Sequence, residues 1–330
     1  MTSFLITGAA GFIGFHLART LADRPDARVI AVDNFVRGER DQALRALADK
    51  PNVTFIEADL TREDAVAGLP DDIDIVFHMA ALNGTQNFYE RPMDVIRCST
   101  LPTILLVERF GRIGLTRMVY AGTSESYAST VTRFGWPVPT AEDVVLSIDG
   151  VENPRWSYAA SKMHGEVVTA QGGKSYGFPW SIIRYHNVYG PRMGDRHVVP
   201  DFFERMREGR YELFGHEDTR SFLYIDDAVR ATLAVGETPE CAGQIVNVGS
   251  VEEITIRELG QRMLAARGLH AEMVLHPSPS GSVRRRAPDI SKLRRLTGFE
   301  QRISLDEGLA ATARFYLDGE LMGVLGERAA

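Results

Sequence analysis

Short β-branched runs alternate with amphipathic segments through the first half of the chain, and this rhythm constrains the fold more than any other feature. The runs that predict strands are residues 4–7, 29–32, 53–56, 73–78 and 118–121, with another at 180–185. The segments that predict helices are residues 13–22, 40–48, 93–110 and 157–174. Strands that alternate with helices build a parallel sheet covered on both faces. We therefore predict an α/β fold around a doubly wound parallel sheet.

Beyond residue 185 the elements become shorter, Pro and Gly punctuate them, and arginine is more frequent. This change predicts a larger first lobe over residues 1–178 and a smaller α/β lobe formed mainly by residues 179–330. Residues 229–235 and 245–248 have the patterns of a helix and a strand that return to the main sheet. The elements at about 226–250 are therefore assigned to the first lobe, so the two lobes interleave.

Composition and charge exclude several classes of function. The net charge of −7 gives no basic field for duplex nucleic acid, so no nucleic-acid partner is expected. The two cysteines, Cys98 and Cys241, lie outside any metal-binding spacing, and we expect no metal site. There is no basic, apolar signal segment and no run of the roughly 20 apolar residues that spans a bilayer. We expect a cytoplasmic protein that does not bind membranes.

A glycine-rich turn follows the first predicted strand and leads into the first predicted helix. Its residues are Gly8, Ala9, Ala10, Gly11, Phe12, Ile13 and Gly14. The first glycine permits a tight turn, the second lets the backbone approach a pyrophosphate, and the third allows close helix packing. The helix N-terminus stabilises the anion. Strand, glycine turn and helix in this order predict a dinucleotide-binding site.

Asp33 ends the second predicted strand, 19 residues after Gly14. A carboxylate there accepts hydrogen bonds from the adenosine ribose hydroxyls and repels a 2′-phosphate, so NAD is favoured over NADP. Arg37 lies close enough in sequence to keep the reverse preference open. Asp59 and Leu60, after the third strand, are candidates to flank the adenine, although a solvated aspartate at a strand end is an equal alternative.

Tyr158 and Lys162 open a predicted helix, and their four-residue interval places them on one face about a turn apart. Tyrosine alone is a weak base at neutral pH because its reference pKa is about 10. A nearby ammonium group and a cationic nicotinamide favour the phenolate. Tyr158 is therefore a candidate general base for a substrate hydroxyl.

Together these features resemble the extended short-chain dehydrogenase/reductase family, in particular its nucleotide-sugar epimerases, dehydratases and decarboxylases. The resemblance covers nearly the whole chain. It is carried by the segments 7–14, 33–35, 78–81 and 123–125, by Tyr158 with Lys162, and by 187–192. It implies a Rossmann-type sheet that binds NAD and a smaller C-terminal α/β lobe that binds a nucleoside-diphosphate sugar.

The resemblance also implies roles for individual residues. Tyr158 is the base, Lys162 holds the nicotinamide ribose, and Thr123 hydrogen-bonds the reacting hydroxyl, with Ser124 and Glu125 beside them. The implied cofactor-binding residues are Gly8, Gly11, Phe12, Ile13, Gly14, Asp33, Asn34, Asp59, Leu60, Ala80 and Lys162. The implied substrate-binding residues are Asn83, Asn187, Arg192, Val199, Arg220 and Arg286. The family commonly dimerises through two helices, here 93–110 and 157–174, so we expect a homodimer.

Two positions depart from the family's usual pattern. Ser99 stands where the family usually has asparagine, and Tyr127-Ala128 replaces the usual Tyr-Gly near the expected sugar pocket. Both departures limit how far a particular substrate can be inferred from the resemblance.

The sequence leaves the reaction open. Oxidation at C4 of the sugar followed by reduction from the other face is 4-epimerisation, which requires only Tyr158, Thr123 and NAD, and this is the leading interpretation. A carboxylate at C5, with Glu125 as the candidate, would instead support 4,6-dehydration or decarboxylation of a uronate; Arg192 is then a candidate to meet the substrate carboxylate. A 4-dehydrogenase and a non-catalytic NAD-binding protein are the remaining alternatives.

Overall fold

The computed structural model describes residues 1–194, 197–278 and 283–319. The last part of the predicted second lobe, residues 320–330, therefore lies outside the described residues. The strands are β1 Thr2–Thr7, β2 Ala27–Asp33, β3 Val53–Glu57, β4 Ile75–His78, β5 Arg117–Thr123, β6 Trp180–Tyr185, β7 Val188–Tyr189, β8 Glu212–Phe214, β9 Thr219–Ser221, β10 Leu223–Tyr224, β11 Gln244–Val248, β12 Glu253–Thr255, β13 Val274–His276 and β14 Arg285–Arg286.

The helices alternate with these strands. They are α1 Phe12–Ala22, α2 Gln42–Ala48, α3 Glu63–Ala67, α4 Thr85–Glu90, α5 Pro92–Ile113, α6 Ala128–Phe134, α7 Trp156–Tyr176, α8 Val198–Arg207, α9 Ile225–Glu237, α10 Ile256–Ala265, α11 Ser291–Thr297 and α12 Leu305–Asp318, with short 3-10 helices at Ser124–Tyr127 and Pro239–Cys241. Among the described helices, none is long and apolar enough to cross a membrane.

Seven parallel strands form the central sheet in the order β11-β6-β5-β4-β1-β2-β3. The order reverses beside β1, as in Rossmann-type folds. This confirms the predicted fold class. β6 belongs to this sheet although it follows the boundary predicted at residue 178, whereas β11 lies within the elements at about 226–250 that the sequence pattern assigns to the first lobe.

Alternating side chains on the strands pack against helices on the two faces of the sheet. On β1, Phe4 and Ile6 belong to the core shared with α1 and α9, whereas Leu5 belongs to the core shared with α5. Because successive strand residues point to opposite faces, a strand covered on both sides reads as a continuous apolar run. The sheet is therefore doubly wound, with α5 and α7 packed together on one face.

Three small sheets build the second lobe. They pair β10 with β7, β12 with β9 and β14, and β13 with β8. Helices α8, α10 and α12 pack around them. Helix α9 and strand β11 then return the chain to the central sheet, as the patterns at 229–235 and 245–248 predict.

Candidate active site

A cleft of about 1120 Å³ follows the carboxyl ends of the central strands and extends into the smaller lobe. Parallel strands end at one edge of a sheet, so loops that are distant in sequence meet there. All of the site residues implied by the sequence line this cleft: Gly8, Gly11, Phe12, Ile13, Gly14, Asp33, Asn34, Asp59, Leu60, Ala80, Asn83, Thr123, Ser124, Glu125, Tyr158, Lys162, Asn187, Arg192, Val199, Arg220 and Arg286.

The glycine turn exposes its backbone to the cleft, because its glycines carry no side chains. Gly8 has a φ of 71°, and a Cβ on Gly14 would lie only 2.1 Å from the Gly8 carbonyl oxygen. Gly11 is the N-cap of α1 and offers no side-chain cap. The first N–H groups of a helix lack partners within it, and here the first residues of α1, Phe12, Ile13 and Gly14, line the cleft. The turn therefore fits the pyrophosphate of a dinucleotide.

Asp33 joins the glycine turn to the end of β2. One carboxylate oxygen accepts a hydrogen bond from the Ala10 N–H at 2.9 Å, and the other accepts one from the Phe35 N–H at 2.8 Å. A carboxylate has about four lone-pair sites, so these bonds leave Asp33 able to accept ribose hydroxyls as well. The neighbouring wall of the cleft includes Asn34, Asp59 and Leu60.

Thr123, Tyr158 and Lys162 meet where β5 ends and α7 begins. The Tyr158 ring is buried and stacks on Phe88 with the ring centroids 5.1 Å apart. The Lys162 ammonium donates to the Ala121 carbonyl at 2.8 Å and lies 5.9 Å from the centre of the Tyr158 ring. Burial lowers the pKa of Lys162 to about 7, against which the Glu166 charge acts.

Burial also raises the pKa of Tyr158 above its ordinary value, and the negative charge of Glu125 adds to this shift. The charge of Arg37 and a hydrogen bond with Thr123 act in the opposite direction. Tyr158 is therefore a neutral phenol in the cofactor-free protein. A positive charge brought next to it in the cleft would favour the phenolate.

Glu125 is held between arginines. Arg286 donates to one carboxylate oxygen at 2.7 Å, and Arg155 approaches the other at 3.4 Å. Burial raises the pKa of Glu125, but the charges of Arg286 and Arg155 and the hydrogen bond from Arg286 outweigh it, so the net pKa is lowered. Glu125 is therefore an ionised and weakly basic carboxylate.

The residues implied for substrate binding come from segments that are far apart in the sequence. Arg220 lies on β9 and is 3.6 Å from Asp218, Arg286 lies on β14 next to it, and Val199 is buried in α8. Asn187 has a left-handed backbone, with a φ of 37°, and its side-chain amide donates to the Ser221 carbonyl at 3.0 Å. The strand pairing of β9 with β14 thus brings two arginines to one side of the cleft.

Arg192 lies beside the glycine turn, where its guanidinium contacts protein groups. Its guanidinium pairs with Asp41, donates to the Ala10 carbonyl at 3.2 Å and lies 4.0 Å from the centre of the Phe15 ring. Arg37, whose position in the sequence kept a preference for NADP open, donates to the Asn83 carbonyl at 2.6 Å. Both arginines therefore contact protein groups around the glycine turn and the α4 end of the cleft.

Sequence reasoning missed Arg155 and Phe88. Arg155 stands three residues before Tyr158 at the start of α7, and this spacing is a signal that could have placed both side chains on one face. Phe88 lies in α4, and nothing in its sequence context indicates that it stacks on Tyr158.

Tyr127, expected near the sugar pocket, is buried, with its hydroxyl bonded to Asn247 and Arg184. Within the described residues, no group of three His, Cys, Asp or Glu side chains could hold a metal ion.

Residues 4–249 match the sequence model of the NAD dependent epimerase/dehydratase family. The chain belongs to this family. It is 31% identical to the UDP-N-acetyl-alpha-D-glucosaminuronate decarboxylase of Bacillus cytotoxicus, over 96% of this chain and 98% of that protein. It is 32% identical to the UDP-glucose 4-epimerase of Mycolicibacterium smegmatis, over 94% and 97% of the two chains. Family membership makes the protein an NAD-dependent enzyme, as the glycine turn and Asp33 predict.

Solved structures of the epimerase/dehydratase family share the whole architecture. The UDP-glucuronic acid 4-epimerase of Bacillus cereus, in complex with UDP-glucuronic acid and NAD, superposes with a TM-score of 0.86 at 28% identity. That match covers 96% of this chain and 99% of the other. The UDP-glucose 4-epimerase of Thermotoga maritima, with UDP-glucose, gives a TM-score of 0.84 at 28% identity over the same shares.

Proposed function

We propose that the protein is a UDP-sugar 4-epimerase that acts through a transient 4-keto sugar. The observation that carries this proposal is the state of Glu125, whose two carboxylate oxygens face Arg286 and Arg155. This pairing disfavours proton removal at C5 and leaves Thr123 and Tyr158 for the chemistry at C4. The choice of UDP follows from the similar proteins, whose names specify UDP sugars.

The chain's own residues supply the proton chemistry. When bound, NAD would supply the hydride acceptor for oxidation at C4 and the hydride donor for the reduction that follows. Tyr158 accepts the proton of the C4 hydroxyl and donates it back, while Thr123 hydrogen-bonds the same hydroxyl. Lys162 contacts the nicotinamide ribose and contributes its positive charge beside Tyr158. Arg220 and Arg286 bind the diphosphate, for which the planar guanidinium is suited.

The remaining cofactor-binding residues contact different parts of the dinucleotide. Gly8, Gly11, Phe12, Ile13 and Gly14 hold the pyrophosphate, Asp33 and Asn34 hold the adenosine ribose, and Asp59, Leu60 and Ala80 border the rest of the cofactor. Asp33 gives the preference for NAD over NADP. The contact of Arg37 with Asn83 supports this preference, because it directs the nearest arginine to another partner.

Decarboxylation of a UDP-uronate is the second candidate. Arg155 and Arg286 form a cationic wall around Glu125 that suits an acidic sugar, and one similar protein is a UDP-uronate decarboxylase. In that reaction the 4-keto sugar loses its C5 carboxylate as carbon dioxide, and C5 takes up a proton from solvent. Ser124 and Glu125 then lie next to the reacting carbon.

Turnover in deuterated water separates the candidates. Purified protein with NAD is mixed with UDP-glucose, UDP-N-acetylglucosamine or UDP-glucuronate, and the products are read by NMR and mass spectrometry after back-exchange of hydroxyl protons. We expect a C4 epimer of unchanged mass from one of them, because the hydride returns to the carbon it left. Glu125→Gln should reduce turnover by less than about tenfold, and Tyr158→Phe by at least about a hundredfold.

Other products would change the assignment. Deuterium at C5 with release of carbon dioxide and severe loss in Glu125→Gln would make the protein a decarboxylase, whereas loss of water would make it a dehydratase. Accumulation of free NADH would indicate a 4-dehydrogenase. An absence of product from all nucleotide sugars tried, with intact NAD binding, would favour a non-catalytic binding protein.

We also propose the division of the chain and its assembly. Residues 1–178, with β6 and the returning elements at about 226–250, form the NAD lobe, and the rest of residues 179–330 form mainly the nucleotide-sugar lobe. The protein is a homodimer that pairs α5 and α7 of one protomer with those of its partner. Large exposed apolar side chains on both helices support this pairing, Met93 on α5 and Val167 on α7 among them.

A further inference from the structure

The segment between β2 and α2, residues 34–41, lies directly on the glycine turn. A Cβ on Gly38 would be only 2.4 Å from the Cβ of Ala10, so the two backbones are in close contact. Asp33, the residue directly before the segment, accepts a hydrogen bond from the Ala10 N–H. It therefore closes one side of the cleft beside the turn that fits the pyrophosphate.

Arg192 forms an ion pair with Asp41, the last residue of this segment. Its buried guanidinium pairs with Asp41, which ends the segment, and also reaches the Ala10 carbonyl and the Phe15 ring. The backbone of Arg192 is left-handed, with a φ of 64°, a conformation that is strained for a non-glycine residue. These contacts with the NAD lobe hold the residue in that conformation.

Arg37, in the middle of the same segment, contacts residues outside it. It donates to the Asn83 carbonyl, and a Cβ on Gly194 would lie 2.7 Å from its guanidinium. Arg37 thus touches both the turn before α4 and the strand-to-helix connection that carries Arg192. Together Arg37, Asp41 and Arg192 form what we call the arginine clasp, which ties residues 34–41 to both neighbouring walls of the cleft.

We propose that the arginine clasp holds residues 34–41 across the cofactor cleft and slows the exchange of NAD, with Arg192 as a positioning residue that does not bind the sugar. Opening the segment would separate Asp41 from a guanidinium that is only 6% exposed. Leaving one partner of such a pair buried and uncompensated is costly. The clasp therefore adds to the barrier for cofactor release.

This inference rests on the proposed function in one respect. A 4-epimerase must keep its reduced cofactor until the sugar has been reduced again, whereas a dehydrogenase must release it in each turnover. A segment held in place beside the glycine turn would help a 4-epimerase to retain its reduced cofactor. The exchange rate itself can be measured without any sugar substrate, so it is tested independently of the reaction.

The central test compares Asp41→Asn with Glu57→Gln. Asparagine is as good an N-cap as aspartate, so Asp41→Asn keeps the cap of α2 while it removes the charge that pairs with Arg192. Glu57→Gln is the matched control, since it removes one exposed carboxylate paired with Arg40. Protein loaded with NADH is mixed with a large excess of NAD, and the loss of bound-NADH fluorescence gives the dissociation rate. We expect a rate at least about tenfold higher in Asp41→Asn and within about twofold of wild type in the control.

A second variant tests the role of Arg192. Arg192→Met should speed NADH dissociation at least as much as Asp41→Asn, and the double variant should add little, because both changes break the same pair. The affinities of the NAD-loaded protein for UDP and for UDP-glucuronate, measured by calorimetry, should both stay unchanged. A wild-type dissociation rate in Asp41→Asn would overturn the clasp. Weakened UDP-glucuronate binding with unchanged UDP binding and unchanged NADH dissociation in Arg192→Met would return Arg192 to the substrate site. If the clasp result holds and no epimer forms, the proposed function fails alone.

Discussion

Single side chains in the cleft owe their chemistry to partners that are distant in the chain. Glu125 is the clearest case, because its carboxylate becomes a weak base through Arg286, which is 161 residues away. Tyr158 is buried and therefore held neutral until positive charge arrives in the cleft. The sequence identified these two residues, but their protonation depends on the charges and burial around them.

Lys162 should make the stability of the cofactor-free protein depend on pH. Burial lowers its pKa from 10.5 to about 7, so between these values the unfolded chain holds a proton that the folded protein has lost. The contribution of Lys162 to the free energy of unfolding therefore rises with pH through this window. Lys162→Met removes the dependence, so its gain in Tm over wild type should be larger at pH 6 than at pH 9. Thermal unfolding of both proteins at both pH values checks this; an equal gain would contradict the lowered pKa.

At the scale of elements, α1 and the glycine turn form one unit with β1. Their positions depend on close backbone contacts, and a side chain at Gly14 has no room beside the Gly8 carbonyl. The sequence predicted this unit well, since strand, turn and helix are neighbours along the chain. It predicted α2 less well, because that helix begins at Gln42, after the Asp41 cap, and not at residue 40. Helix α5 continues through Pro102 from Pro92 to Ile113, three residues beyond the predicted end.

Gly14→Ala should abolish NAD binding while the fold persists. The added Cβ would displace the start of α1 from the glycine turn, and the N–H groups at the helix N-terminus would lose their place in the cleft. Gly68→Ala is the matched control, since its Cβ would meet its nearest atom at 3.5 Å and its φ is −78°. Titration with NAD should show at least about a hundredfold weaker binding in Gly14→Ala and wild-type binding in Gly68→Ala. Equal affinities would refute the proposed role of the turn.

At the scale of the whole molecule, segments that are distant in the chain share one sheet and one cleft. Strands β6 and β11 complete the central sheet from sequence that lies beyond the first 178 residues, and β9 with β14 brings Arg220 and Arg286 to the shared cleft. The helices α5 and α7 remain on the outside of the sheet with apolar side chains exposed.

The proposed homodimer can be tested with a single charge. Val167 on α7 is 60% exposed, and Val167→Asp should convert the dimer to a monomer by placing an unpaired carboxylate in an apolar interface. Val251→Asp is the control, since that valine is 54% exposed and belongs to the loop between β11 and β12, outside both helices. Light scattering at micromolar concentration gives the masses. A wild-type protein that stays monomeric at all concentrations would rule out the pairing.

The sequence by itself determined the parallel sheet, the glycine turn, Asp33 and the Tyr158–Lys162 pair. These features depend on residues within a few positions of one another, through backbone hydrogen bonds, helical periodicity and strand alternation. Tertiary structure decided the surroundings of Glu125 and of Arg192, whose partner Asp41 is 151 residues away. Electrostatic interactions fall off with distance in space and strengthen with burial, and neither quantity can be read from positions along the chain. For this reason the sequence could name the charged residues of the cleft, but only the folded chain could pair them.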